Sequence, residues 1–448
     1  MRSFDLIIIG TGSGNSIVGE DFDDWDVAIV ERGRFGGTCL NVGCIPSKML
    51  VYTAELAELA RDGRRYGLDT SFVGADWPAV RDRVFNRIDP IAAGGEQYRR
   101  NLPNVTVYGV HATFVGPKQL QVGDEVITAD KIVLAAGARA TVPDIAGLAE
   151  SGYHTSDTVM RIDAIPKRLA VIGGGYIAAE LGNVFGSLGS EVTFLLRGDT
   201  MLRSQDTDIR ERFTKIYAEK FDVRTDVGIG RIRRHHHETV LETNQGEHRC
   251  DELLVATGRV PNGDQLNVAA TGVATDDDGY VIADAQRRTN VEGIWALGDI
   301  TNPVQLKHVA NHEARVVSHN LANPDSPTEV DHRFIPAAVF GHPQVASVGL
   351  TEQQCIQAGL PHRVAVNEYA STAYGWAMED TQSFCKLIVD TQTRRLLGAH
   401  ILGPQASTLI QQLIQAMVFD LSVDDIATKQ YYIHPALPEV VEQALLEL

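Results

Sequence analysis

The chain carries the same local pattern twice, a short apolar run that ends in a glycine-rich turn. The first copy is DLIIIGTGSGNS, with Gly10, Gly12 and Gly14 in the turn, and the second is RLAVIGGGYIAAELG, with Gly173 and Gly175. An apolar run that stops at such glycines is typical of a buried parallel strand whose end approaches a dinucleotide pyrophosphate. Two copies within 448 residues predict two dinucleotide-binding units in tandem and an α/β fold.

The first unit continues into VAIVE, a second apolar strand with Glu31 at its end. A carboxylate in this position suits a hydrogen bond to an adenosine ribose. We therefore expect a βαβ unit over this region. Asn15 stands where a third glycine is usual, and the helix after it looks short. The alternative is a glycine-rich turn that binds no ligand.

The second unit ends its second strand in LLRG, so Arg197 stands where NAD enzymes often carry an acid for the ribose 2'-hydroxyl. Arg203 follows shortly afterwards. Two guanidinium groups suit a 2'-phosphate, which favours NADPH over NADH, unless the arginines are only solvated surface charges. Two dinucleotide sites in one chain indicate an electron relay between a resident flavin and a nicotinamide donor.

The stretch GGTCLNVGCIPSK contains the only close cysteine pair, Cys39 and Cys44. A close pair in a long chain with five cysteines is typical of redox or metal chemistry rather than of a disulfide framework. Zinc would need a second ligand pair, and the other cysteines stand singly, so we expect no metal. The run His235 to His237 is best explained as a solvated loop. The other three cysteines are expected to be packed, inert thiols: Cys250, Cys355 and Cys385.

The composition limits the partners. The formal net charge is -18, and such a surface repels phosphate backbones and anionic lipid, so we expect neither nucleic acid nor a membrane as partner. No apolar stretch reaches the length of about 18 residues that a membrane helix needs, and MRSFDLIIIG lacks the features of a signal peptide. A cytoplasmic location is the resulting expectation.

The cysteine stretch resembles the redox motif of the pyridine nucleotide–disulfide oxidoreductases. AAG at 135–137, ATG at 256–258, ALGD at 296–299 and the C-terminal HPALPE extend the resemblance over the whole chain. It implies an NAD(P)H-dependent disulfide oxidoreductase with FAD. The implied fold is glutathione reductase-like, with two tandem Rossmann-like dinucleotide-binding domains and a C-terminal α+β dimerisation domain. The domains are expected at 1–147 (FAD, first part), 148–264 (NADPH), 265–332 (FAD, return segment) and 333–448 (dimerisation of a homodimer).

The resemblance also implies roles for single residues. Cys39 is similar to the interchange thiol that attacks the substrate, and Cys44 to the thiol that lies against the flavin. His434 is similar to the general acid/base delivered from the partner subunit, and Glu439 to the carboxylate that orients it. Lys48 and Glu180 resemble an ion pair near the flavin and the nicotinamide. The other expected cofactor contacts are Gly37, Thr38, Gly137, Tyr176, Ile177, Gly258 and, at the flavin ribityl chain, Asp299.

The substrate is indicated by resemblance alone. YHTSDTVMRI, LKHVANHEARVV, YGWAMED and YYIHPALPEVVEQALL are similar to the mycothione-reducing branch of the family, which implies the disulfide of mycothiol as substrate. The last sixty residues contain no cysteine, which argues against mercuric reductase and the large thioredoxin reductases. Arg197 and Arg203 argue against dihydrolipoyl dehydrogenase. That activity, a glutathione reductase and a flavin NAD(P)H:quinone reductase remain the alternatives.

Overall fold

The first glycine turn follows the central strand of a seven-stranded sheet. The computed structural model describes residues 1–448. The sheet has the order β3-β2-β1-β6-β5-β4, with β16 added beside β6, and β1 runs parallel to both β2 and β6. The strands of this sheet and the neighbouring helices are β1 (Arg2–Ile9), β2 (Val27–Val30), α1 (Gly37–Asn41), α2 (Cys44–Asp62), α3 (Trp77–Arg100), β3 (Val105–Tyr108), β4 (Ala112–Gly116), β5 (Gln119–Val122), β6 (Glu125–Leu134) and β16 (Ile294–Ala296). A further strand, β7 (Ala138–Ala140), pairs with Arg259–Pro261 in a separate two-stranded sheet.

The connection from β1 to β2 contains no α-helix, so the predicted βαβ unit is wrong in this detail. Two 3-10 turns, Gly14–Ser16 and Glu20–Phe22, replace the helix. The segment has no apolar stripe at helical spacing that could cover the sheet. That face is covered instead by α7 (Lys307–Ala322), whose Ser318 Oγ donates to the carbonyl of Ile17 at 2.8 Å. A distant helix therefore does the packing that the local helix usually does.

The second unit matches its prediction of strand, glycine turn, helix and strand. It is built on a four-stranded parallel sheet of order β10-β9-β8-β14, with a three-stranded antiparallel sheet β11-β12-β13 beside it. Its elements are α4 (Ser156–Val159), β8 (Arg168–Ile172), α5 (Tyr176–Ser187), β9 (Glu191–Leu195), α6 (Thr207–Lys220), β10 (Asp222–Arg224), β11 (Ile229–His235), β12 (Glu238–Thr243), β13 (Gly246–Cys250), β14 (Glu252–Val255) and β15 (Arg259–Pro261).

Each of the two units contains the same kind of backbone contact, and this contact explains the repeated sequence. Gly10 has φ +102°, and a Cβ there would lie 2.3 Å from the carbonyl oxygen of Ala135. Gly173 has φ +125°, and a Cβ there would lie 2.2 Å from the carbonyl oxygen of Ala256. Only glycine permits this approach at positive φ. The AAG and ATG segments thus lie directly against the first glycine of each turn.

The C-terminal part forms an antiparallel sheet of order β17-β18-β21-β20-β19. Its apolar face packs on α10 and α12, in a core that includes Leu387, Ile401, Leu413 and Val440. The elements are β17 (Ala337–Val339), β18 (Val345–Gly349), α8 (Glu352–Gln357), β19 (His362–Glu368), α9 (Ala373–Ala377), β20 (Phe384–Asp390), β21 (Leu396–Leu402), α10 (Ala406–Val418), α11 (Val423–Thr428) and α12 (Pro438–Leu446).

A buried ion cluster joins this sheet to the second nucleotide unit. Lys386 on β20 is fully buried, and its Nζ lies 2.8 Å from Asp206, 2.5 Å from Asp208 and 2.6 Å from Glu352. Asp206 precedes α6, so the lysine ties α6 to the C-terminal sheet. Replacing Lys386 would leave the fully buried carboxylate of Asp206 without its cation, a change that is strongly destabilising for buried ion pairs. None of the helices combines the length and the apolar character that crossing a membrane requires.

Candidate active site

A cavity of about 1030 Å³ lies where the first glycine turn, the cysteine stretch, α5 and α7 meet. It collects most of the predicted site residues. Those that line it are Gly10, Gly12, Glu31, Gly37, Thr38, Cys39, Cys44, Lys48, Gly137, Tyr176, Ile177, Glu180 and Asp299.

The cysteine stretch packs directly on the first glycine turn. Gly37 has φ +60°, and a Cβ there would lie 2.8 Å from Cα of Gly12. Glu31 holds the turn from the other side, because its Oε2 accepts hydrogen bonds from Thr11 N at 2.9 Å and from Thr11 Oγ1 at 2.7 Å. The carboxylate that was expected at a ribose therefore also fixes the turn to the end of β2.

The two cysteines are free thiols on consecutive helices. Cys39 lies within α1, and Cys44 is the first residue of the 19-residue α2, where the helix dipole favours a thiolate. The hydrogen bond from Cys39, aided by the Lys48 ammonium and opposed by burial, lowers the pKa of Cys44 to about 7. The same hydrogen bond and burial raise the pKa of Cys39. The contact between the two sulfurs therefore favours the thiolate on Cys44 over the thiolate on Cys39.

The ion pair of Lys48 and Glu180 joins three parts of the chain. Lys48 Nζ on α2 lies 2.5 Å from Glu180 Oε2 on α5, and Glu180 is only 4% exposed. Glu180 Oε1 accepts a hydrogen bond from Phe340 N at 2.9 Å, just after β17. The ammonium also lies 4.7 Å from the centre of the Phe340 ring. This pair thus fixes α5 and the C-terminal part against the cysteine helix.

Two polar side chains in the cavity wall, Asp299 and Tyr176, suit a large, partly polar cofactor. Burial raises the pKa of Asp299, against the opposing effect of Arg259 and Lys307. Burial likewise raises the pKa of Tyr176. A Cβ on Gly12 or Gly137 would meet no atom within 4 Å, so both open a path for a ligand along the backbone. The glycine turn, the half-buried carboxyl of Asp299 and the apolar walls fit a flavin dinucleotide.

Several predicted cofactor residues lie outside this cavity. Gly14 has a packing role, because a Cβ there would lie 2.7 Å from the Cβ of Ala135. Gly258 lies where the chain returns from the second unit, and its carbonyl accepts a hydrogen bond from Thr141 N at 2.8 Å.

No group of three or more His, Cys, Asp or Glu side chains is placed to hold a metal ion.

The second glycine turn is a separate site beside the cavity. Gly173 and Gly175 precede α5, whose first residues Tyr176 and Ile177 reach the cavity wall. Arg197 and Arg203 are exposed. No carboxylate pairs with either guanidinium, so both are free to bind an anion.

His434 and Glu439 form a pair at the C-terminal end of the chain. His434 Nδ1 lies 2.6 Å from Glu439 Oε1, and Ala436 N donates to Glu439 Oε2 at 3.1 Å. The contact with His434 lowers the pKa of Glu439. The His434 side chain is 72% exposed, and neither residue lines the cavity. Within one chain, the structure does not bring this histidine to the cysteines.

Sequence reasoning missed three residues around the cavity. Ser13 and Lys307 both line it, and Lys307 Nζ donates to Ser13 Oγ at 2.8 Å. Phe340 supplies the backbone N–H that holds Glu180. Lysine at a helix start and phenylalanine after a strand carry no local signal of such a role, because the contacts join segments far apart in the sequence.

Two family models together match nearly the whole chain. Residues 4–314 match the pyridine nucleotide-disulphide oxidoreductase family, and residues 335–445 match the dimerisation domain of the same family.

Curated relatives agree with this match. The chain is 50% identical to a mycothione reductase of Mycobacterium tuberculosis, over 100% of both chains. It is 34% identical to a mercuric reductase of Staphylococcus aureus, over 94% of this chain and 78% of that one. It is 31% identical to a dihydrolipoyl dehydrogenase of Haloferax volcanii, over 98% of this chain and 95% of that one.

Solved structures share the whole fold. The HOCl-induced flavoprotein disulfide reductase RclA from Escherichia coli superposes with a TM-score of 0.87 at 27% identity, over 99% of each chain. These matches agree with the cavity and its cysteine pair, and together they identify the family. The chain belongs to the pyridine nucleotide-disulphide oxidoreductases, FAD-dependent enzymes that act on disulfides with a pyridine nucleotide as second cofactor.

Proposed function

We propose that this enzyme reduces mycothione to mycothiol with NADPH as electron donor. The observation that carries the proposal is the 50% identity to a mycothione reductase over the full length of both chains. The net reaction is mycothione + NADPH + H⁺ → 2 mycothiol + NADP⁺. We place this activity in the cytoplasm, the compartment that supplies reduced pyridine nucleotides.

We assign FAD to the cavity and the nicotinamide dinucleotide to the second glycine turn. FAD bound in the cavity would supply two-electron transfer between the nicotinamide and the cysteine pair. The chain's own contribution is positioning. The first glycine turn, Glu31 and Asp299 hold the dinucleotide, while the Lys48–Glu180 pair fixes a positive charge in the cavity wall. Tyr176, the first residue of α5, lines the cavity directly after the second glycine turn.

The cysteine pair then performs the disulfide exchange. Cys39, as thiolate, attacks one sulfur of the substrate disulfide, forms a mixed disulfide and displaces the first thiol. Cys44 attacks the Cys39 sulfur of that mixed disulfide, which releases the second thiol and restores the Cys39–Cys44 disulfide. The lowered pKa of Cys44 supports its part in the second step.

Cys39 needs a base before it attacks, because burial and the contact with Cys44 raise the pKa of its thiol. We assign this role to His434 of the partner subunit. An imidazole oriented by a carboxylate can take the Cys39 proton and return it to the leaving thiolate. The exposed His434–Glu439 pair and the match to a dimerisation domain support a homodimer in which each subunit serves the other.

The choice between the two nicotinamide dinucleotides can be tested at the second glycine turn. Arg197→Gln and Arg203→Gln should each raise the KM for NADPH by roughly tenfold, because each removes one charge-assisted contact to the 2'-phosphate. The KM for NADH should stay within about twofold, since NADH lacks that phosphate. Steady-state kinetics with both donors measure the effect. Arg231→Gln is the control, an exposed arginine on β11 away from this turn. Equal losses with both donors would contradict the assignment.

The substrate can be tested with a panel. The purified holoenzyme is given NADPH with mycothione, glutathione disulfide, lipoamide, Hg(II) or a quinone. We expect kcat/KM for mycothione to exceed that for every other disulfide by at least about 100-fold, as polar sugar groups left unpaired in a fitted site are costly. Preference for lipoamide or glutathione disulfide would reject mycothione as substrate. Activity with quinones alone would reject disulfide reduction.

A further inference from the structure

Glu313 is a fully buried carboxylate that takes no part in the proposed chemistry. It lies on α7, and it is 0% exposed. A buried carboxylate is costly unless hydrogen bonds and an opposite charge compensate for the lost water. The groups that compensate Glu313 therefore indicate what the fold gains from keeping a charge at this place.

The first of these groups is the backbone of the short 3-10 turn Gly298–Ile300, which carries Asp299. Gly298 N donates to Glu313 Oε2 at 2.6 Å, and both Gly298 and Asp299 line the cavity. Gly298 has φ +74°, and a Cβ there would lie 3.2 Å from the Cβ of Ala310, so the turn lies directly against α7. The carboxylate thus holds the backbone one residue before the proposed flavin contact.

The other oxygen of Glu313 binds groups on both sides of this turn in the chain. Asn302 Nδ2 donates to Glu313 Oε1 at 3.3 Å, and Arg287 Nη2 lies 3.6 Å from the same oxygen. Arg287 is itself buried and donates to the carbonyl of Ala296 at 3.2 Å, at the end of β16. His332 Nε2 lies 3.0 Å from Glu313 Oε1, just before the C-terminal sheet. The buried charge thus joins α7, the turn and the segment that leads into the dimerisation domain.

We propose that Glu313 is a positioning residue for FAD, which fixes the Gly298–Asp299 turn so that the Asp299 carboxyl faces the cofactor. The inference rests on the proposed function, since it requires FAD to contact Asp299. Without Glu313 the N–H of Gly298 would lose its acceptor in a buried place, and the turn would have to shift to satisfy it. Asp299 would move with the turn. Glu313 acts only through this turn, because it does not line the cavity.

The test measures the release of FAD from the diluted holoenzyme, followed by the fluorescence of the free flavin. Glu313→Leu removes both acceptor oxygens and should speed release by about 10- to 100-fold, the range that corresponds to one charge-assisted hydrogen bond. Glu313→Gln keeps an acceptor for Gly298 N but loses the charge, so release should be about fivefold faster. Because glutamine also keeps the size of the side chain, this variant carries the test if Glu313→Leu does not fold.

A matched control separates positioning from stability. Asp206→Asn removes the charge of another fully buried carboxylate, at a place outside the cavity. We expect it to lower the thermal unfolding midpoint, as the Glu313 variants do, and to leave the FAD release rate at the wild-type value. Equally fast release from Asp206→Asn would assign the effect to lost stability and overturn the inference.

Asp299→Ala distinguishes a failure of this inference from a failure of the proposed function. This variant should release FAD faster, and a Glu313 substitution added to it should speed release little further, because both changes act on one contact. Wild-type release rates in both Glu313 variants, or effects at Glu313 and Asp299 that simply multiply, overturn the inference. A wild-type release rate in Asp299→Ala instead rejects the contact between Asp299 and FAD on which the proposed function relies.

Discussion

The Cys39→Ser enzyme is expected to lose disulfide reduction and to keep flavin reduction by the pyridine nucleotide. In the proposed mechanism the sulfur of Cys39 forms the mixed disulfide, and a serine hydroxyl cannot form that bond. The residues that we propose as cofactor contacts, in the glycine turn, at Lys48 and at Asp299, are unaffected by the exchange of one atom. We expect kcat for mycothione to fall by at least about 10³-fold, the scale on which loss of a nucleophile acts.

Two measurements separate the half-reactions of this variant. Stopped-flow absorbance follows bleaching of the flavin by NADPH, and steady-state assays follow NADPH oxidation with mycothione and with a quinone. Cys355→Ala is the control, because that thiol is buried in α8 outside the cavity. Disulfide turnover at near the wild-type rate in Cys39→Ser would remove Cys39 from the mechanism.

The parts of the fold that the sequence predicts are those set by local steric demands. The strand, glycine turn and helix at Gly173 could be predicted because only glycine permits the approach of the Ala256 carbonyl. The first unit has the same contact at Gly10, yet the helix predicted after it is missing. Its place is taken by α7, which lies about 300 positions further along the chain. A covering element so distant leaves no local pattern to detect.

The same distinction holds for the site. Cys39 and Cys44 share one short motif, so their joint role could be predicted from spacing and resemblance. Lys48 and Glu180 could be paired only by resemblance, and the backbone N–H of Phe340 that completes the pair has no sequence signal.

Neither the sequence nor the fold of a single chain brings His434 to a target. Its ring is oriented by Glu439 at 2.6 Å, yet it is 72% exposed and outside the cavity of its own chain. An oriented but exposed imidazole without a substrate nearby is understandable if its target belongs to another subunit.

His434→Gln is expected to lower kcat for mycothione by about 10² to 10⁴-fold, the usual contribution of a general acid/base. Flavin reduction by NADPH should be unchanged, because His434 lies outside the cofactor cavity. Glutamine keeps most of the size and polarity of the imidazole but cannot carry the proton. Stopped-flow and steady-state assays check the two expectations, and a loss of flavin reduction would contradict the assigned role.

Mixed dimers decide which subunit the histidine serves. A dimer with Cys39→Ser in one subunit and His434→Gln in the other, purified through two different affinity tags, contains one intact Cys39 facing one intact His434 if the histidine acts across the interface. It should recover about half of the wild-type activity per dimer, although both parent homodimers are nearly inactive. A wild-type subunit paired with a Cys39→Ser/His434→Gln subunit should be inactive, since its intact cysteine faces the altered histidine. If the histidine acted within its own chain, the two results would be exchanged, because only the second dimer would then contain one complete site.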